Sequence, residues 1–153
     1  MKIYIASDHA GFALKSELVP FLWERDFDVV DCGPEKYEHD DDYPDYVSLV
    51  ADRIARENDA GKNLQTAGIV VGWSGQGEAI AANRFPNVRA AVFYGGPKHV
   101  LTLSRQHNDA NILSLGAHFL TSDDAKKAVL LWLGTEFSGE ERHIRRLKKI
   151  EKI

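Results

Sequence analysis

The chain has 153 residues, 44% hydrophobic and 27% charged, with a single cysteine, Cys32, and a formal net charge of −4. A chain of this size buries a core without disulfides or metals, its composition excludes a disordered or fibrous protein, and its acidic balance argues against broad nucleic-acid binding. The lone cysteine excludes an internal disulfide, and no apolar run approaches membrane-spanning length, so neither leader nor anchor is expected and the cytoplasm is the expected address.

Lys2 to Ser7 reads as a short strand, followed by a helix with Leu14, Leu18, Phe21 and Leu22 at helical spacing. Pro20 interrupts that pattern and marks a kink or an early end. Asp28 to Asp31 is a second strand. A loop crowded with Glu35, Glu38, Asp40, Asp41, Asp42 and Asp45 comes next and is expected to be solvated rather than calcium-binding. Val47, Val50 and Ile54 then mark a helix beginning near Pro44, a residue suited to a first turn. Ala67 to Gly72 has the unbroken apolar character of a strand covered on both faces, and it leads through a glycine-rich turn to a small helix, Ala79 to Asn83. Arg89 to Phe93 is a fourth strand, Pro97 to about Arg105 a helix, and Asn111 to Leu115 a fifth strand. Ala125, Ala128, Val129 and Trp132 share one helical face with Ser122 as the expected N-cap, and a basic helix closes the chain at about 140–152.

Five strands alternating with helices predict a single domain over 1–153, a three-layer α/β/α fold around a doubly wound five-stranded parallel sheet of Rossmann-like type. Ligands of such sheets bind beyond the carboxyl ends of the strands where strand order reverses, commonly between the first and third. Two loops are nominated on that ground. Ser7-Asp8-His9-Ala10-Gly11 offers a carboxylate and an imidazole, the competing reading being a capping Asp8 and a surface His9. Gly72-Trp73-Ser74-Gly75-Gln76-Gly77-Glu78 offers glycines for close backbone approach, amides for negative charge and a carboxylate. Its spacing matches neither the dinucleotide nor the P-loop pattern. An aldose–ketose isomerisation needs a base beside a carbonyl and a positive environment for the enediolate, and Glu78 with the loop amides can supply both. The helix dipole at this position is expected to keep Glu78 ionised.

Six segments taken in order resemble the type B ribose-5-phosphate isomerases, a family that also includes galactose-6-phosphate isomerase subunits. They are Ser7 to Phe12 with Leu14-Lys15, Asp31-Cys32-Gly33, Asp41-Asp42-Tyr43-Pro44, Ser74 to Glu78 with Ile80 to Asn83, Ser104 to Asn108, and Arg142-His143 with Arg146. The resemblance is to the branch whose base is a glutamate at the position of Glu78 rather than a cysteine at that of Gly72. It implies that Glu78 moves a proton between C1 and C2 of a sugar phosphate, without cofactor or metal, while Ser74 and the amides of Gly75 and Gly77 steady the enediolate. It further implies that Asp8 and His107 assist ring opening, that Tyr43 and Asn108 contact the sugar, and that His9, Arg142 and Arg146 hold the phosphate. Arg142 and Arg146, four apart, share one helix face and can grip one anion, whereas Arg145, Lys148 and Lys149 fit a solvated basic face. Dimers or tetramers with the site at the subunit boundary are the implied assembly.

Two residues depart from the family pattern: Trp73 stands where glycine is usual and His118 where a phosphate-binding arginine is common. Both are placed among the substrate-binding candidates, the indole because it would reshape the pocket and the imidazole because it is a weaker phosphate ligand than a guanidinium. Ribose 5-phosphate is the expected substrate, with another aldose, allose or galactose 6-phosphate or an unphosphorylated sugar, as the alternative. A catalytically silent sugar-phosphate binder and a flavodoxin-like nucleotide or flavin binder are the readings from other classes. Cys32 is expected to be a small buried residue, not a nucleophile, and His39, His99 and His143 to be surface residues.

Overall fold

The computed structural model describes residues 1–59 and 66–153. In chain order they form β1 (Lys2–Ser7), α1 (Phe12–Trp23), β2 (Asp28–Asp31), α2 (Tyr43–Asp59), β3 (Thr66–Gly72), α3 (Gln76–Ala82), β4 (Ala90–Phe93), α4 (His99–Gln106), β5 (Ile112–Gly116), α5 (Ser122–Leu133) and α6 (Glu141–Ile150). All five strands are parallel, in the order β2-β1-β3-β5-β4. The fifth strand therefore inserts between the third and fourth. The burial patterns agree: β3 and β5 are buried almost throughout, whereas β2 and β4 are the less buried edges.

Side chains alternate across the sheet, so each strand feeds two cores. Ile3, Ile5, Ile69, Val71, Leu113 and Leu115 pack under α1, α4 and α5, with Trp132 fully buried among them. Tyr4, Ala6, Val70 and Ile112 meet Val47, Val50 and Ile54 of α2 and Ala82 of α3 on the other face.

Local expectations shift in three places. Pro20 does not end α1, which continues to Trp23, because its ring lies on the exposed side while Leu18 and Leu22 stay in the core. The N-cap of α5 is Thr121, not Ser122; its hydroxyl accepts from the Asp124 amide at 3.1 Å. The helix after β3 starts at Gln76 rather than Ala79, since Gly75 takes a left-handed conformation (φ 76°) that turns the chain directly into it.

Candidate active site

The chain order places the reversal between β1 and β3, so the loops leaving their carboxyl ends lie side by side. The Asp8 amide donates to the Val71 carbonyl at 3.3 Å, tying the first loop to β3. Gly11 allows this approach, since a Cβ there would lie 2.1 Å from the Val71 oxygen. Asp8 is buried, and its Oδ1 accepts from the Gly11 amide at 3.0 Å, so it does cap the turn into α1 while also facing the second loop.

Glu78, on the first turn of α3, is only 4% exposed. Its carboxylate fills the space over Gly72, where an added Cβ would stand 1.7 Å from Oε1. Burial raises its pKa above the usual carboxylate value, and the nearby negative charge of Asp8 pushes the same way. The favourable contact at the helix start, expected to keep Glu78 ionised, acts downward as anticipated, but loss of hydration is the larger influence. A carboxylate so placed is a stronger base than one in water.

The rest of the second loop is shaped by its neighbours. The Ser74 hydroxyl accepts from the Gln76 amide at 3.3 Å. The buried Ser114 hydroxyl donates to the Gly75 carbonyl at 2.6 Å, fixing that peptide against β5. Ser114 escaped the sequence reading, although a hydroxyl in the apolar run of β5 was the available signal. Tyr43 lies against Gly77, where a Cβ would be 2.7 Å from its ring, so the first residue of α2 presses on the same loop. Trp73 stacks on His118 with ring centroids 4.2 Å apart, and Phe119 meets both edge-on. The His118 amide donates to the Trp73 carbonyl at 3.1 Å. Trp73 is 53% exposed, and with Tyr94 and Phe119 this group forms an aromatic wall beside the loop.

His9 pairs with Asp41, which alters the reading of the acidic loop. Glu35, Glu38, Asp40, Asp42 and Asp45 are exposed as expected, but the Asp41 side chain turns inward, with only 4% exposed.

His107, Asn108, Arg142 and Arg146 are not gathered with these groups. Helix α4 runs back from the carboxyl end of β4, so His107 and Asn108 lie near the amino ends of β4 and β5. There Asp109 bonds Arg89 at 2.8 Å and the Asn111 amide donates to the Arg89 carbonyl at 3.0 Å. Five strand residues at about 3.3 Å each separate the two ends of the sheet, roughly 15 Å. Helix α6 sits at this lower end, with Arg142 and Arg146 exposed. His143 is a correction: it is 2% exposed, because it shares the inward face of α6 with Leu147, and its ring stacks on His107 at 4.3 Å. His39 and His99 are exposed as expected. Cys32 is half-buried one residue beyond β2 rather than fully buried, and burial raises its thiol pKa, which disfavours a nucleophilic thiolate. Of the three tryptophans, Trp132 belongs to the core, whereas Trp23 and Trp73 are exposed.

A doubly wound α/β fold with a buried carboxylate and a glycine-rich loop at its strand-order reversal defines the class as an α/β protein with a small-molecule site beyond the carboxyl ends of its strands. Comparison with known proteins makes the assignment specific. The Ribose/Galactose Isomerase family model matches residues 3–150, and the chain belongs to that family. It is 40% identical over 152 residues to ribose-5-phosphate isomerase B of Escherichia coli, covering 99% of this chain and 95% of that one. It is 40% identical over 148 residues to probable ribose-5-phosphate isomerase B of Mycoplasma genitalium, covering 97% and 92%. The crystal structure of the Mycoplasma genitalium isomerase with bound ribulose-5-phosphate superposes with a TM-score of 0.90 at 38% identity, covering 99% of this chain and 94% of that one. Among the described residues no helix is long and apolar enough to cross a membrane.

Proposed function

We propose that this chain interconverts ribose 5-phosphate and ribulose 5-phosphate in the cytoplasm, with Glu78 as the proton-transferring base and neither metal nor cofactor. The observation that carries the reading is the Glu78 carboxylate, buried over Gly72 at the mouth of the amide-rich loop. Asp8 and His107 open the furanose. Glu78 then takes the C2 proton; the electron pair left on C2 forms the C1–C2 double bond as the C1 carbonyl oxygen gains negative charge. Ser74 and the amides of Gly75 and Gly77 stabilise that oxyanion. A proton passes from O2 to O1, Glu78 returns its proton to C1, and the carbonyl is now at C2. Tyr43 and Asn108 contact the sugar hydroxyls, and His9, Arg142 and Arg146 bind the phosphate.

Because His107, Asn108 and the two arginines lie at the opposite end of the sheet from Glu78, this scheme requires two chains. The supporting arrangement is an isologous dimer in which the α4–α6 end of each chain completes the partner's site. The Trp73–His118 stack favours a second reading of the substrate, an aldose such as allose or galactose 6-phosphate, or an unphosphorylated sugar whose apolar face lies on the aromatic wall.

The test is incubation with ribose 5-phosphate in deuterated water, following ketose formation and loss of the C2 proton signal by NMR. Exchange and ketose in the native protein, both abolished in Glu78→Gln, are the expected result. Activity on another aldose alone would select the second reading, and silence on every sugar would leave a binding protein.

A further inference from the structure

The acidic loop contains one residue that does not behave as a solvated charge. Asp41 Oδ1 accepts from the His9 backbone amide at 2.9 Å and lies 2.6 Å from the His9 ring Nδ1. Its second oxygen, Oδ2, is buried and finds no partner among the described residues. His9 keeps 35% of its side chain exposed. We propose that Asp41 is a positioning residue that holds His9 as an oriented imidazolium, with its Nε2–H presented to the anionic end of the substrate.

The chemistry follows from what a carboxylate can do. An ionised Asp41 only accepts, so the proton on Nδ1 is pinned and the second proton of the ring can only be on Nε2. The charged groups around the ring favour the doubly protonated form: Asp41 contributes most and Asp8 adds to it, against a smaller opposing loss of hydration. His39 is a further titratable neighbour, stacked on His9 with centroids 6.0 Å apart. The backbone bond fixes the loop and the ring bond fixes charge and direction, so one oxygen ties the placement of the acidic loop to the state of the anion-binding ring. This inference rests on reading the loop as a sugar-phosphate site, but its first test does not depend on turnover.

Asp41→Asn separates a charge-setting role from a merely structural one, because an asparagine oxygen still accepts from the His9 amide and ring while carrying no charge. The His9 ring is titrated by NMR in substrate-free native, Asp41→Asn and Asp41→Glu proteins. In the same proteins, binding of inorganic phosphate is measured by calorimetry. The expected result is a His9 midpoint that falls in Asp41→Asn and returns toward the native value in Asp41→Glu, with phosphate affinity falling about tenfold in the first, the size of one lost charged hydrogen bond. In turnover, KM for ribose 5-phosphate rises by more than kcat falls. An unchanged His9 midpoint in a folded Asp41→Asn protein overturns the proposal, as does a changed midpoint with unaltered phosphate affinity. A native protein that turns over no sugar yet shows the shifted midpoint and the phosphate effect would overturn the isomerase reading and leave this one standing.

Discussion

Glu78 and Gly72 occupy a single volume: the carboxylate of one fills the space that any side chain on the other would need, with 1.7 Å between Oε1 and a Cβ placed at position 72. This position of the Glu78 carboxylate therefore depends on glycine at 72.

Gly72→Ala tests this exclusion. The contact is with the end of a flexible side chain rather than with backbone, so the fold should survive while the carboxylate is displaced by an ångström or more. Misplacement of a reacting group on that scale lowers kcat by about a hundredfold. Circular dichroism that matches the native protein, together with that loss in kcat, is the expected pair of results; near-native kcat would show that the carboxylate acts from elsewhere.

Glu78→Gln should abolish proton transfer, a loss of about 10²–10⁴ in kcat, and yet stabilise the protein at neutral pH. The folded pKa of Glu78 lies above its unfolded value, because burial disfavours the charge. Its contribution to stability is therefore fully present below the unfolded pKa and is lost as pH rises through the folded pKa. Glutamine carries no such loss. The difference in Tm between variant and native protein should grow from acid toward neutral pH, measured by thermal unfolding at a series of pH values.

In the proposed dimer, the placement of His107 at the opposite end of the sheet from Glu78 predicts complementation between subunits. Glu78→Gln and His107→Asn proteins, each inactive alone, are mixed after dissociation and allowed to reassociate. Half of the dimers are mixed and each regains one intact site of two, so activity should return to about a quarter of native. No recovery in a mixture shown by mass spectrometry to contain mixed dimers would place His107 in its own chain's site.

His143 stacks on His107 with its Nε2 buried and unpartnered among the described residues. Burial lowers its pKa, and the charges of His107, Arg142 and Arg146 act in the same direction. Stability from keeping it neutral is fully present above the unfolded pKa and is lost as pH falls through the folded pKa. His143→Phe preserves a ring against His107 and cannot be protonated. It should lose less stability than the native protein between neutral and mildly acidic pH, whereas His143→Ala, which removes the stack, should lower kcat even at pH 8.

The alternation of apolar runs and amphipathic segments was enough to read the α/β class, the five strands and the two loops at the reversal of strand order, because those features follow from side-chain period and glycine placement along the chain. Motif order carried the family. What lay beyond the sequence was set by neighbours distant along the chain. The insertion of β5 between β3 and β4 depends on which strand edges pair. The raised pKa of Glu78 depends on how much water its neighbours exclude, which overrode the local dipole argument. Asp41 reads in sequence as one of six solvated acids and becomes a buried partner of His9 only when the loop folds back on β1. His107 and Glu78, both nominated from the chain, lie at opposite ends of the sheet because a parallel strand must be followed by a helix that returns to its start, and that return is a property of the tertiary structure alone.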